Sequence, residues 1–311
     1  MNSEKLSVPF LLNSSDLTTE DIRKIFDKTD YFTEHFKTGV KFDDLKAVTI
    51  AMAFFETSTR TKLSFDIAAK RLSADTITFQ SSSKKDNKAE SLIDTFQTIE
   101  ALGADMFVVR HPKSGVPHFW QNNTKGVVIN AGDGIHEHPT QALIDAYTLY
   151  THFGQIDKLK VCIVGDIINS RIAHSNITLL KTLGADVRLC APGTLLPRYM
   201  NIWNCKIIDN IEDAVGWADA LFVLRLRSER IESGIIPSLR EFSAYYGISY
   251  KRFITRPDLV LLHPGPVNYG VEIDYKVSGF PNCLIQNQVT YGVFVRMALL
   301  SLLAKHLKNI G

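Results

Sequence analysis

Two doubly wound α/β domains, each built on a parallel sheet, are what this 311-residue sequence predicts. Three observations carry that expectation. Short apolar runs alternate with amphipathic stretches along the chain, a pattern that argues parallel sheets covered by helices on both faces. The alternation pauses near Gly154 and restarts at Lys160, and 311 residues suit two domains of ordinary size. Polar clusters rich in Ser, Thr, Arg and His recur just after apolar runs, at the carboxyl ends of strands, where open α/β sheets bind ligands. The boundaries read as 1–150 for the first domain and 151–287 for the second, with a closing helix over 288–311.

The first element is an amphipathic helix that opens at Leu17-Thr18-Thr19-Glu20-Asp21-Ile22 with a capping signal and ends around Phe36, before Gly39. Val48 to Phe54, Thr76 to Phe79, Met106 to Val109 and Val127 to Ile129 then read as short buried strands, the last followed by a turn at Ala131-Gly132-Asp133-Gly134. Helices fall between them, one from Lys62 to Leu72 and another opening with the acids Glu90 and Asp94 and stopping at Leu102-Gly103. Ser81 to Lys88 is a polar, loop-like interruption. Pro139 suits the first turn of a helix running to about His152, because its missing N–H costs nothing there. The second series has strands at Val161 to Val164, Asp186 to Leu189, Ala220 to Val223 and Leu259 to Leu262, with helices from Ser170 to Leu183 and Ile211 to Trp217. Val289 to Leu307 is apolar over much of its surface and should be packed rather than free.

Composition narrows the ligands. With 35 basic and 33 acidic residues, the formal net charge of +2 gives no electrostatic reason to expect nucleic acid as a partner. No apolar run approaches membrane-spanning length, and the amino terminus lacks a basic region followed by an apolar core, so a cytoplasmic protein with small ligands and no membrane partner is expected. Cys162, Cys190, Cys205 and Cys283 are widely spaced without a C-x-x-C pair, which suggests free thiols rather than a zinc site or a disulfide framework.

Ser58-Thr59-Arg60-Thr61 stands between the first strand and its helix. A helix starting there points unpaired N–H groups and the positive end of its dipole outward, and three hydroxyls and a guanidinium add donors suited to a phosphate dianion. The ordinary reading is an N-cap, which Ser and Thr favour. Arg110-His111-Pro112 and His138-Pro139-Thr140-Gln141 follow later strands in the same way, which leaves His138 at a helix mouth and Gln141 one turn in. Alone, Arg110 would also suit an ion pair, Gln141 a surface helix position and Thr61 a cap. Three clusters on one sheet edge favour a ligand site.

Through these clusters, Ser58-Thr59-Arg60-Thr61, Arg110-His111-Pro112 and His138-Pro139-Thr140-Gln141, and the further strings around them, the chain resembles the aspartate carbamoyltransferases, catalytic chain, within the aspartate/ornithine carbamoyltransferase superfamily. The first half carries Phe55-Glu56-Thr57-Ser58-Thr59-Arg60-Thr61, Lys88-Ala89-Glu90-Ser91-Leu92, Val109-Arg110-His111-Pro112, Asn130-Ala131-Gly132-Asp133-Gly134 and His138-Pro139-Thr140-Gln141-Ala142-Leu143. The second carries Val164-Gly165-Asp166-Ile167, Ser170-Arg171, Leu224-Arg225, His263-Pro264-Gly265-Pro266 and Gly292-Val293-Phe294-Val295-Arg296-Met297-Ala298. Neither Asp-x-x-x-Ser-Met-Gly nor His-Cys-Leu-Pro, strings of the ornithine enzymes, occurs.

The resemblance implies transfer of the carbamoyl group of carbamoyl phosphate to L-aspartate, giving N-carbamoyl-L-aspartate and phosphate for pyrimidine synthesis. It implies that Ser58, Thr59, Arg60 and Thr61 hold the phosphate, with Arg110, Gln141, Pro264 and Gly265 completing the donor's site. Arg60, Thr61, Lys88, Arg110 and His138 would be catalytic, the carbonyl polarised by His138, Thr61 and Arg110. The departing phosphate would take the amine's proton, so His138 is not needed as a general base. Aspartate carries two carboxylates and calls for fixed cations, which Lys88, Arg171, Arg225 and Arg227 would supply. No metal or organic cofactor is implied. The resemblance also implies interdomain helices, the last returning to the first domain, a homotrimer with Lys88 reaching a neighbour's site, and a closing loop within Arg225 to Lys251. Regulatory chains or a dihydroorotase are further partners it leaves open.

The departures cluster on the acceptor side. Ala89 stands where the family has Gly, Arg227 where it has Gln, Lys84 and Lys85 where a serine is expected, Asn169 where it has His, Tyr269 where it has Arg, and Tyr291 where it has Asn. Two other readings therefore stand beside the first: a carbamoyltransferase with a different acidic acceptor, and a catalytically weak relative that binds carbamoyl phosphate.

Overall fold

The computed structural model describes residues 5–37, 39–80, 91–198, 203–226 and 234–307. By its contacts the chain divides into one unit of residues 1–144 and 291–311 and a second of 145–290.

The first unit opens with helix α1, Thr19–His35, where the Thr18 side chain accepts from the Asp21 N–H and Asp21 bonds back to Thr18. Strands β1 (Thr49–Phe54), β2 (Asp75–Gln80), β3 (Met106–His111) and β4 (Val127–Asp133) form an all-parallel sheet in the order β2-β1-β3-β4. Helices α2 (Thr59–Arg71), α3 (Leu92–Ala101) and α4 (Val116–Gln121) connect them. Helix α2 buries Thr61, Phe65, Ala68 and Ala69 along one face, the spacing of a 3.6-residue period. Burying Phe65 alone contributes about 2 to 3 kcal/mol. Under the β1 and β3 ends, Trp120 stacks on Phe96 at 3.7 Å, and Phe55 lies 5.1 Å from the His111 ring. Helix α5, Pro139–Phe153, follows β4.

In the second unit β5 (Lys160–Val164), β6 (Asp186–Cys190), β7 (Lys206–Ile207), β8 (Ala220–Val223) and β9 (Val260–Leu262) pair in the order β7-β6-β5-β8-β9, again all parallel. Helices α6 (Arg171–Thr182), α7 (Ile211–Trp217), α8 (Leu239–Tyr246) and α9 (Tyr250–Phe253) accompany them, and α10, Ile285–Ala304, closes the fold. All four cysteines are free, with Cys205 alone half-buried.

The observed elements differ from expectation in three places. The presumed turn at Ala131 to Asp133 is the end of β4, because His111 pairs with Asp133 across an irregularity in the ladder. The stretch expected as a closing loop contains helix α8 and the first two residues of α9, each helix opened by a serine cap, Ser238 and Ser249. Strand β7 was not anticipated. The polar interruption at 81–88 lies outside the described residues.

Candidate active site

In the first sheet β1 lies between β2 and β3, so the chain leaves β1 toward one side and later returns to the other. That reversal makes the carboxyl ends of β1 and β3 a topological switch point, where a crevice opens between diverging connections. The Phe55 N–H donates to the Arg110 carbonyl at 2.8 Å, so the two strand ends stay joined up to the polar clusters. Ser58 occupies the N-cap of α2, yet its hydroxyl makes no capping bond. The capping explanation for the run is thereby removed at Ser58. Thr59 and Arg60 are exposed, Ser58 is half-buried, and Thr61 turns inward and is buried.

Arg110 is held from two sides. Its Nε lies 2.7 Å from Glu56 Oε1, and its Nη1 donates to the Ala131 carbonyl at 3.0 Å. The ion-pair reading of Arg110 is therefore correct in part, with a partner from the same strand end as the Ser58 run. The ion pair and the Nη1 hydrogen bond together restrain the guanidinium. Its neighbour His111 accepts from the Lys113 N–H at 2.9 Å, and burial pushes the imidazole pKa down.

His138 is buried at the mouth of α5, where its carbonyl accepts from the Gln141 and Ala142 N–H groups at 2.9 and 3.3 Å. Thr140 Oγ1 lies 3.4 Å from its Nδ1, and Gln141 is half-buried one turn in. The turn before His138 is organised by Asp133, which is fully buried. Asp133 Oδ1 accepts from Asn130 Nδ2 at 2.9 Å and from the Glu137 N–H at 3.1 Å. Its Oδ2 accepts from the Gly115 N–H at 2.7 Å and lies 3.2 Å from His136 Nδ1. Burial pushes this carboxyl up, but the bonds from His136, Asn130 and Gly115 outweigh it and the net shift is downward. Hydrogen bonding to Asp133 in turn raises His136. One carboxylate thus ties the loop after β3 to the turn that carries His138. Gly134, at φ +49°, has no room for a Cβ, which would stand 2.7 Å from the Ser114 nitrogen.

The second sheet repeats the logic. Its switch point lies between β5 and β8, and Arg171 and Arg225 sit just beyond those two strands. After β5, Gly165 adopts φ +117°, and a Cβ there would press on Leu224 at 3.3 Å, so glycine lets the two strand ends approach. Asn169 donates to Asp166 Oδ1 at 2.8 Å, and Ser170 caps α6 by accepting from the Ala173 N–H at 3.2 Å. Arg171, the first helical residue, is 7% exposed, whereas Arg225 is exposed. Pro264 and Gly265 follow β9 and are half-buried. Lys88 and Arg227 lie outside the described residues, as do Lys84, Lys85 and Ala89.

The structure thus places Ser58, Thr59, Arg60, Thr61, Arg110, His138 and Gln141 at the carboxyl ends of neighbouring strands in one unit. It places Arg171, Arg225, Pro264 and Gly265 at the corresponding ends in the other. The supporting roles of Glu56 and Asp133 are not apparent from the sequence; the one signal is that Glu56 stands two residues before Ser58.

Two family models match the chain: the aspartate/ornithine carbamoyltransferase carbamoyl-P binding domain over residues 10–151, and the Asp/Orn binding domain over 157–303. The aspartate carbamoyltransferase catalytic subunit of Flavobacterium psychrophilum is 44% identical over 98% of this chain and 100% of its own length. That of Gemmatimonas aurantiaca is 46% identical over 94% and 93%. Among solved structures, the catalytic subunit of M. jannaschii aspartate transcarbamoylase superposes with TM-score 0.84 at 33% identity, covering 96% of this chain and 99% of its own. Aspartate transcarbamoylase from Trypanosoma cruzi in complex with N-(phosphonacetyl)-L-aspartic acid gives 0.83 at 26%, covering 94% and 95%. Ornithine carbamoyltransferase from Pyrococcus furiosus also gives 0.83, at 25%, covering 94% and 96%. Backbone shape is therefore common to both acceptor types.

Proposed function

The chain belongs to the aspartate/ornithine carbamoyltransferase family, and on that premise we propose how its residues divide the work of carbamoyl transfer. The enzyme transfers the carbamoyl group of carbamoyl phosphate to the amine of L-aspartate, giving N-carbamoyl-L-aspartate and phosphate, a step of pyrimidine synthesis. In the reading we favour, Ser58, Thr59, Arg60 and Thr61 bind the phosphate at the α2 N-terminus, joined by Arg110 and Gln141. The observation that carries it is Ser58: a hydroxyl at a helix mouth, at a switch point, with no capping bond to make.

The amine lone pair forms a C–N bond to the carbonyl carbon, and negative charge builds on the carbonyl oxygen. That charge collapses as the C–O bond to phosphate breaks and phosphate leaves with the electron pair. The ammonium proton passes to the departing phosphate. Thr61, Arg110 and His138 stabilise the oxygen, each donor contributing about 2.7 to 4 kcal/mol in a site from which water is excluded. Arg110 suits this because Glu56 and Ala131 hold its fork before substrate arrives, so little ordering is left to do. Pro264 and Gly265 contact the carbamoyl group. Arg171 and Arg225 bind the aspartate carboxylates, with Arg227 and Lys88 as further cations.

The same reading includes a cytoplasmic homotrimer in which Lys88 serves a neighbour's site, to which regulatory chains or a dihydroorotase would attach as further partners. Supporting self-association, Leu63 and Ile67 are 53% and 44% exposed on the face of α2 turned away from its buried residues. Arg60 shares that face, so a subunit covering the apolar pair would lie beside a phosphate ligand. Among the described residues no helix is long and apolar enough to cross a membrane.

The test is phosphate release from carbamoyl phosphate with L-aspartate, with L-ornithine and other amino acids, and without acceptor, on protein whose mass is measured in the same buffer. Aspartate-dependent release from a trimer is expected. A better acceptor than aspartate would sink the acceptor assignment, and a fully active monomer would sink the shared site.

A further inference from the structure

Glu272 is fully buried, and four donors converge on its carboxylate. Oε1 accepts from the Leu226 N–H and from Asn268 Nδ2, both at 2.7 Å. Oε2 accepts from the Asn268 N–H at 2.7 Å and lies 3.2 Å from His263 Nε2. Asn268 Nδ2 also donates to the Leu226 carbonyl at 2.9 Å, so the residue after Arg225 is held at both its N–H and its C=O. One carboxylate therefore joins the end of β8, which carries Arg225, to the loop after β9, which carries Pro264 and Gly265.

His263 extends the chain of bonds. Its ring is fully buried, and its backbone N–H donates to Gln288 Oε1 at 3.0 Å. The Gly265 N–H donates to His263 Nδ1 at 2.8 Å, which makes Nδ1 an acceptor and places the ring proton on Nε2, facing Glu272. The Pro264–Gly265 peptide is planar and trans, so fixing its N–H toward the imidazole aims the Pro264 carbonyl the opposite way.

We propose that Glu272 and His263 act as a positioning pair that sets the direction of the Pro264 carbonyl, an acceptor for the N–H groups of the carbamoyl amide or the attacking amine, and at the same time anchors the backbone beside Arg225. Neither side chain touches substrate. Glu272 fixes the imidazole tautomer, the tautomer fixes the Gly265 N–H, and the peptide plane fixes the carbonyl. The pair thus deepens the reading above, on which its role toward substrate rests.

The chain of causes predicts how a substitution propagates. Glu272→Gln puts an amide NH2 against donors. If that NH2 faces His263, the imidazole relieves the conflict by moving its proton to Nδ1, and Nδ1 then no longer accepts from Gly265. His263→Leu removes the acceptor outright. His263→Asn keeps an oxygen near the Nδ1 position and should preserve the Gly265 bond while losing the contact to Glu272.

Hydrogen–deuterium exchange of peptides spanning residues 263–268, measured on the full chain, reads this without relying on activity. Glu272→Gln and His263→Leu should exchange the Gly265 amide about tenfold faster than wild type, and His263→Asn should stay near it. With L-aspartate and carbamoyl phosphate, the first two variants should lose about 10- to 100-fold in kcat, the scale of a misplacement of about 1 Å. Binding of inorganic phosphate, whose residues belong to the other unit, should stay within about twofold of wild type. Unchanged exchange in His263→Leu, which removes the Gly265 acceptor whichever way a residue 272 amide would face, would overturn the proposal, as would an equal loss of phosphate affinity, which marks general unfolding. If wild type turns over no acceptor while the exchange pattern holds, the assigned reaction fails and the positioning pair stands.

Discussion

Replacing Asp133 by Asn should cost the first unit both stability and catalysis, by amounts that follow from its four contacts. The variant keeps one oxygen for Asn130 Nδ2 and the Glu137 N–H, and sets an NH2 against the Gly115 N–H, which now donates at 2.7 Å. His136 can adapt by exchanging tautomers, but a backbone N–H cannot become an acceptor. One charge-assisted bond is lost and one buried donor is left without its acceptor, about 2 to 3 kcal/mol together. For a unit of this size that lowers the unfolding midpoint by about 4 to 12 °C. Calorimetry, with tryptophan fluorescence as a second probe, measures the shift; Trp120 is fully buried in this unit and reports its opening. Because Gly115 follows the strand that bears Arg110 and Glu137 precedes His138, kcat should fall about tenfold or more. A variant with wild-type midpoint and wild-type kcat would refute the claim that this carboxylate holds the two loops together.

Other outcomes are expected at single sites. Arg60→Ala should weaken inorganic phosphate binding about 10- to 100-fold, by isothermal titration, while leaving stability within about 0.5 kcal/mol because the side chain is exposed. Arg225→Ala should raise the aspartate KM with little change in phosphate affinity, and Arg225→Lys should recover only part of it, since an ammonium lacks the planar fork that pairs with a carboxylate. The His136 pKa is raised above its ordinary 6.5, so the stability gained from the charged pair with Asp133 is complete below that value and fades as pH climbs through the raised one. The unfolding midpoints of wild type and His136→Ala should therefore differ most near pH 6 and converge in alkaline buffer, by a small amount because His136 is half-exposed.

Much of the fold was legible because parallel strands buried on both faces are continuous apolar runs. Val161 to Val164 and Ala220 to Val223 announce themselves, and the pause near Gly154 lies close to the change from one sheet to the other. Strand β7 is two exposed residues, Lys206 and Ile207, too short and polar to give a period. Asn130 to Gly134 has turn composition, yet β4 runs through Asp133 because the backbone, not the side chains, pairs with His111. The site's arginines and histidine stood out because charge after an apolar run is conspicuous. The carboxylates that hold them did not, because what marks Asp133 and Glu272 among 33 acids is burial together with several converging donors, and both are properties of the folded chain.

The most direct test of the central claim is to follow carbonyl-13C carbamoyl phosphate by NMR in the presence of L-aspartate and the enzyme. Label appearing in N-carbamoyl-L-aspartate, in step with phosphate release and dependent on aspartate, is the predicted result. Label lost only to breakdown products, or delivered to ornithine in preference to aspartate, would contradict it.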